Sequence, residues 1–367
     1  MTSKAFGLAQ LGNAFADGAL SNRNKIINGA MTIDQRNAGA AVTPTNTQYL
    51  VDRWWTWLSQ ASKITAQQNA GGVTPPAGFR TYQGITSSSA YSVLTSDYFA
   101  LVQHVEAINF TDLAWGTADA KPVTLSFWVR SSLTGTFGGA FANAAQNRSY
   151  PFAYTISSAN TWEYITITVA GDTSGTWEGA TNGIGVRVQF GLGVGSSNSN
   201  TAGAWYGANY ISATGATSVV GTNGATFYLT GVQLEAGDTA TPFEHRSYGD
   251  ELALCQRYFE KSYDLGTVAG AANENGMAIT WAASVSNYYS FSAKFSVSKR
   301  ATPTVTIYNP SSGTTSEMRN TDTGGAVTVA GISNGGQTAP FGFLYSSSAV
   351  SADGNRYSTQ WTASAEL

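Results

Sequence analysis

A chain of 367 residues with 11% charged side chains, 40 glycines and a net charge of −3 is long enough for two domains, and its charge is too sparse to grip a phosphate backbone. Hydrophobic residues still make up 42%, so the shortage of charge does not signal disorder. A single cysteine, Cys255, excludes an intrachain disulfide framework and any multi-cysteine zinc site, and no apolar run reaches the roughly 18 residues that a membrane span needs.

The first 22 residues carry Phe6, Leu8, Leu11 and Phe15, of which the last three fall at helical spacing. Gly7, Gly12 and Gly18 interrupt them, and each glycine weakens an isolated helix by about 1 kcal/mol. The segment lacks the continuous apolar core of an export signal, and it is expected to order only on a partner surface.

From residue 23 to residue 246 the chain alternates with period two. In VTLSFWVR, Leu125, Phe127 and Val129 face one way and Ser126, Trp128 and Arg130 the other. In VRVQF, Val186, Val188 and Phe190 point inward while Arg187 and Gln189 point outward. Further strands are expected at residues 165–169 and 227–234, separated by Gly-, Asn- and Ser-rich turns such as GDTSGTWEGATNG and GVGSSNSNTAG. VDRWWTW reads as a strand with apolar residues on both faces, which places Trp54, Trp55 and Trp57 in the core. Many short strands with such punctuation imply an antiparallel sandwich of jelly-roll type.

Residues 247–262 break the pattern. Ser247 and Asp250 suit a capping box, Asp250 and Glu251 load the first turn with negative charge, and Lys261 places positive charge at the far end. Leu254, Cys255, Tyr258 and Phe259 then form one apolar face of a short amphipathic helix, read as a clamp between two β domains.

Alternation resumes over residues 263–367. YYSFSAKFSV puts Tyr289, Phe291, Ala293, Phe295 and Val297 on one face, and strands are expected at residues 304–308, 326–332, 341–345 and 359–367. The reading is all-β: an N-terminal segment (1–22), a jelly-roll sandwich (23–246), a linking helix (247–262) and a second, smaller β-sandwich (263–367).

Several long runs carry a family resemblance: RNKIINGAMTIDQRNAG (23–39), VDRWWTW (51–57), VTLSFWVRSSLTGTF (123–137), NTWEYITITVAGDTSGTW (160–177) and FYLTGVQLEAGDTATPFEHRSYGDELALCQRYFEKSY (227–263). They resemble a module of tail-fibre and other appendage proteins of tailed bacteriophages. The resemblance implies a virion component assembled in the bacterial cytoplasm, a homo-oligomeric fibre or spike, with a carbohydrate-binding-like jelly roll and a role in host-surface attachment. It implies no catalytic residue and no cofactor. A homotrimer is expected, with Phe6, Leu8, Leu11 and Phe15 as candidate anchors to other virion proteins and a host glycan as a further partner.

Chemically suggestive residues have bland alternatives. Only two histidines occur, His104 and His245, too few for a histidine-based metal site or for a convincing base beside Cys255. GIGVRV lacks the third glycine and the following helix of a dinucleotide-binding turn. The carboxylates Glu106, Asp112, Glu163, Asp172 and Glu178 are scattered, so no glycosidase pair stands out, although a polysaccharide depolymerase is an alternative reading beside a free-standing carbohydrate-binding module. Aromatic side chains in polar loops are better candidates, because sugar C–H groups pack on rings while neighbouring amides bond the hydroxyls. Trp177, Trp205, Tyr206 and Tyr210 fit that description, with plugging of the sandwich ends or contact with another subunit as the structural alternative.

Overall fold

A computed structural model describes residues 22–281, 286–291, 293–333, 335–350 and 354–367. Phe6, Leu8, Leu11 and Phe15 lie outside the described residues. The chain divides into two units: residues 22–32 with Ala41–Ser247, and Ile33–Ala40 with Tyr248–Leu367.

Ten strands of the first unit build two antiparallel sheets. In chain order they are β1 (Trp54–Leu58), β2 (Ile64–Gln68), β3 (Gln83–Ser87), β4 (Tyr98–Glu106), β5 (Val123–Ser131), β6 (Gly135–Ala142), β7 (Ser149–Ile156), β8 (Glu163–Val169), β9 (Ile184–Val194) and, after the two-residue strands β10 (Ser199–Asn200) and β11 (Ser212–Ala213), β12 (Thr226–Ala236). One sheet runs β1-β4-β9-β6-β7 and the other β2-β3-β12-β5-β8. Only β2–β3 and β6–β7 are joined within a sheet; every other step between consecutive sandwich strands crosses from one sheet to the other, as jelly-roll winding requires.

The period-two reading explains the core. Leu125, Phe127 and Val129 from β5 meet Val186, Val188 and Phe190 from β9, all 0% exposed, with Trp54, Phe99, Phe137, Phe152 and Phe227 filling between them. Phe127 lies edge-on to Phe190 at 5.0 Å. Register between β12 and β5 slips between Thr230 and Gln233, where Gly231 adopts φ 61°. A Cβ there would come within 2.6 Å of the Phe79 ring, so glycine is what lets the bulge form against that side chain.

In the second unit, α1 covers Tyr248–Gln256, with Asp250 and Glu251 in its first turn. It stops short of the expected face. The Tyr258 N–H bonds the Cys255 carbonyl at 2.9 Å, tightening the end, and the chain enters β13 (Phe259–Lys261), which pairs with the last strand. Tyr258 and Phe259 therefore lie beyond the helix, and Lys261 donates to the Leu265 and Thr267 carbonyls instead of closing the last turn. Cross-strand pairing outcompetes continuation of a short helix with little intrinsic stability.

The remaining strands are β14 (Ala278–Trp281), β15 (Ser286–Ser290), β16 (Thr304–Tyr308), β17 (Glu317–Asn320), β18 (Ala326–Ser333), β19 (Phe343–Val350) and β20 (Arg356–Ser364). They form one curled antiparallel sheet whose spine is β20. β13 and β14 flank one edge of β20, β16 and β17 the other, and β18, β19 and β15 continue the sheet from β17. Met318, Tyr357, Trp361 and Leu344 are buried in its core. The expected run through residue 297 ends at Ser290, yet Phe291 remains buried and Ala293 and Phe295 still pack on the core. Residues 33–40 belong with this unit. Gln35 Nε2 donates to the Phe259 carbonyl at 2.9 Å, the Arg36 guanidinium sits 3.7 Å from the Phe259 ring centre, and Arg36 pairs with Glu366 at 2.8 Å. A reading that divides the chain linearly has no signal for such an excursion.

Candidate functional site

In β1 the sequence WWTWL sends alternate side chains to opposite faces. Trp54 and Leu58 enter the sandwich core, whereas Trp55 and Trp57 stand on the outer face of the β1-β4-β9-β6-β7 sheet beside Tyr98, Ala100 and Val102 of β4. A row of rings results: Tyr98 to Trp57 at 5.1 Å, Trp57 to Trp55 at 6.2 Å, and Trp55 to His104 at 4.9 Å. Trp57 and Tyr98 are half-buried.

Polar groups continue that face across β9. Arg187 pairs in register with His104 of β4 and Ala142 of β6; Gln189 pairs with Val102 and Ala140. Both point away from the core, as the alternation in VRVQF implies, yet they are 8% and 0% exposed. Arg187 lies against His104, Ala144 and Gln146, while β11 and the residue before it lie on the sheet beside Gln189. A Cβ on Gly138 would meet Ser212 Oγ at 2.4 Å and the Ala213 nitrogen at 2.8 Å, and one on Gly191 would meet Ser212 Oγ at 2.7 Å. Glycine at both positions is what allows this segment to lie on the sheet, with Ile211 packed against Trp55, Ala100 and Val102.

Buried polar atoms collect along this face without partners among the described residues: Trp55 Nε1, both amide atoms of Gln189, Arg187 Nε, Asn209 Oδ1 and Ser212 Oγ. Buried polar atoms are normally bonded, and leaving one unmet costs about 1–3 kcal/mol. Arg187 Nη1 lies 3.2 Å from His104 Nε2, and Nη2 donates to the Ala144 carbonyl at 3.2 Å. Burial pulls the Arg187 pKa below the usual arginine value, with Tyr49 acting in the opposite sense. The Gln146 amide lies between Asn209 and Arg187; in one orientation it accepts from Asn209 Nδ2, in the other its oxygen reaches both Arg187 Nη atoms at 3.2 Å.

The aromatic residues singled out from sequence fall into two places. Trp177 and Trp205 meet at 5.5 Å, and both pack edge-on against Trp115, at 4.8 and 5.1 Å. Their indole N–H groups are engaged, Trp177 with Asp172 at 3.1 Å and Trp205 with the Ala170 carbonyl at 2.9 Å. Both are half-buried and pack against the main core beside Trp115. Tyr206 and Tyr210 are half-buried and meet edge-on at 5.4 Å. Their backbone N–H groups bond Ser149, through its carbonyl at 2.8 Å and its Oγ at 2.9 Å respectively. Tyr210 thus immediately precedes the segment that covers Gln189.

Of the helix residues, Cys255 and Tyr258 are fully buried, Phe259 is 5% exposed and Leu254 is half-buried. His245 packs against Phe79 and Phe243. The scattered carboxylates occupy separate bonding arrangements. Asp112 pairs with Lys25 at 2.7 Å, Glu163 accepts from the Ser157 and Ser158 N–H groups, Glu178 accepts from Thr181, and Asp172 holds Arg148. Glu106 is buried at the end of β4. Among the described residues no three His, Cys, Asp or Glu side chains are grouped to hold a metal ion, and no helix is long and apolar enough to cross a membrane.

Trp57, Tyr98, Arg187 and Gln189 escaped the sequence-based selection of site residues. Alternation assigned Arg187 and Gln189 to the outer face, but only the β1-β4-β9 register sets them beside the rings, and nothing local announces that residues 211–213 lie against Gly138 and Gly191 on the same face.

No family model and no curated protein matches the sequence. Among solved structures, the chain is similar to the enzymatically active domain of bacteriophage CBA120 tailspike protein 4, with 11% identity over 59% of this chain and 22% of that one, at a TM-score of 0.34. It is similar to the carbohydrate-binding module CBM4, with 13% identity over 56% of this chain and 100% of the other, at a TM-score of 0.31. TmCBM61, solved in complex with β-1,4-galactotriose, shares 11% identity over 59% of this chain and 100% of its own, at a TM-score of 0.30.

Proposed function

We propose that the first unit is a saccharide-binding module of a bacteriophage appendage, and that it captures glycan on the outer face of the β1-β4-β9-β6-β7 sheet without cleaving it. The observation that carries this reading is the pairing of half-buried rings, Trp57 and Tyr98, with polar atoms at Trp55, Gln189, Asn209 and Ser212 that no group among the described residues satisfies. Saccharides have matching chemistry: apolar C–H faces for the rings and hydroxyls that both donate and accept for amides, indole and serine. The virion half of the reading rests on the sequence runs at residues 23–39, 51–57, 123–137, 160–177 and 227–263. It makes the protein a homo-oligomer, with residues 1–22 as the attachment to other virion proteins.

A glycan array probed with the intact protein tests the binding half. Binding to a defined subset is expected, with loss of at least about tenfold for Trp57→Ala and no release of shorter oligosaccharides on prolonged incubation. Unchanged binding by a folded Trp57→Ala/Tyr98→Ala variant would remove the site, and liberated reducing ends would replace capture by depolymerisation. For the virion half, deleting residues 2–20 is expected to leave a folded oligomer that fails to enter particles; normal incorporation would sink the anchor role.

A further inference from the structure

Among the described residues, Arg187 carries a charge that no acidic group pairs with. Its side chain on the outer face of β9 is only 8% exposed, and its polar neighbours are His104 Nε2 at 3.2 Å, the Ala144 carbonyl at 3.2 Å and the Gln146 amide. Its Nε has no partner, and no carboxylate lies within ion-pair distance among the described residues. Three other cations in this range have a carboxylate: Arg148 with Asp172 at 2.5 Å, Arg36 with Glu366 at 2.8 Å and Lys299 with Glu260 at 2.5 Å. Buried guanidinium groups without a counter-charge are strongly disfavoured, and their planar N–H fork is shaped for a carboxylate.

A second observation lies beside it on the same face. Gln189, two residues along β9, is 0% exposed with both amide atoms unmet, and Asn209 Oδ1 is buried and unmet next to Gln146. Alternate residues of a strand stand about 7 Å apart, so the cation and the amide span roughly one sugar ring.

We infer that the saccharide taken by this face is acidic, a glycan whose sugars bear carboxylate groups, with Arg187 as the charge partner and the amides of Gln189 and Gln146 as neighbours for ring hydroxyls. This rests on the glycan-binding reading above. The small share of Arg187 still exposed makes it the point of first contact, while Gln189, 0% exposed, requires the segment around Ser212, which lies close on Gly138 and Gly191, to lift before a ligand reaches it.

The test uses the full chain and a panel of purified bacterial capsular polysaccharides. Each is offered in its native uronic-acid form and after chemical reduction of its carboxyl groups to neutral alcohols, alongside sulfated polysaccharides. Interferometry on the unaltered protein is expected to show binding to uronic-acid polymers that falls about 10- to 100-fold on carboxyl reduction. Arg187→Gln is expected to bind the two forms alike, and Arg187→Lys to keep part of the preference. Equal binding of native and reduced polymers by the unaltered protein would overturn the acidic assignment while leaving glycan capture standing. Preference for sulfated chains with indifference to carboxyl reduction would overturn the carboxylate specifically. No binding to any polysaccharide would overturn the glycan reading, and this inference with it. The comparison on the unaltered protein decides the matter even if Arg187→Gln fails to fold.

Discussion

Asp172 separates a structural from a catalytic reading of this chain's carboxylates. It is 2% exposed and accepts from Arg148 Nε at 2.8 Å and Nη2 at 2.5 Å, from Trp177 Nε1 at 3.1 Å and from the Ser174 N–H at 3.1 Å. Asp172→Asn keeps the shape, removes the charge and turns an amide N–H toward one of these donors. Breaking one partner of a fully buried ion pair costs about 3–5 kcal/mol. The Arg148 side chain retains 19% exposure, which lets water recover part of that loss, so the expected cost is about 2–3 kcal/mol. Arg148→Met should cost a similar amount, and the double variant should cost clearly less than the sum. Urea unfolding followed by tryptophan emission is the assay, since Trp177 and its neighbours Trp115 and Trp205 report on this end of the sandwich. A cost below about 0.5 kcal/mol, or strict additivity, would refute the structural role assigned to the pair.

Cys255 is fully buried, so it should react with a thiol reagent only as the second unit unfolds; labelling at the rate of a free thiol would contradict the packing of α1. Around Asp97 burial opposes the charge, but hydrogen bonds from the Leu94 N–H, Tyr91 and Ser59 outweigh it and hold the carboxyl below its usual range. A depressed carboxylate stabilises the fold above about pH 4 and loses that contribution as pH falls through its folded value. Tyr91→Phe should therefore destabilise the protein at pH 7 and converge with the unaltered protein in strong acid; a pH-independent difference would mean that the hydroxyl acts otherwise. Light scattering is expected to return a trimeric mass, since weakly charged surfaces can meet around an axis with little charge desolvation, and a monomeric mass at micromolar concentration would refute that assembly.

The sandwich was legible because its core is written in period two: Leu125, Phe127 and Val129 against Val186, Val188 and Phe190 are visible as alternation before any partner is known. The helix was legible at its start, through Asp250 and Glu251, and misread at its end. Pairing of Phe259, Glu260 and Lys261 with a strand about a hundred residues later depends on long-range register that helical periodicity cannot sense. The face of Trp55, Trp57, Tyr98, Arg187 and Gln189 was illegible for the same reason. Each residue is ordinary in its own strand, and the combination exists only after β1, β4 and β9 align. For Trp177 and Trp205 loop composition left two readings open, a glycan platform or a plug of the sandwich end, and only the folded chain shows their edge-on contact with Trp115.

A crystal structure of the protein with the tightest-binding oligosaccharide from the array tests the central claim most directly. The account predicts a sugar ring against Trp57 or Tyr98, an acidic substituent on Arg187, and movement of the segment that carries Ser212. A sugar seated instead on Trp177 and Trp205, with Arg187 untouched, would contradict it.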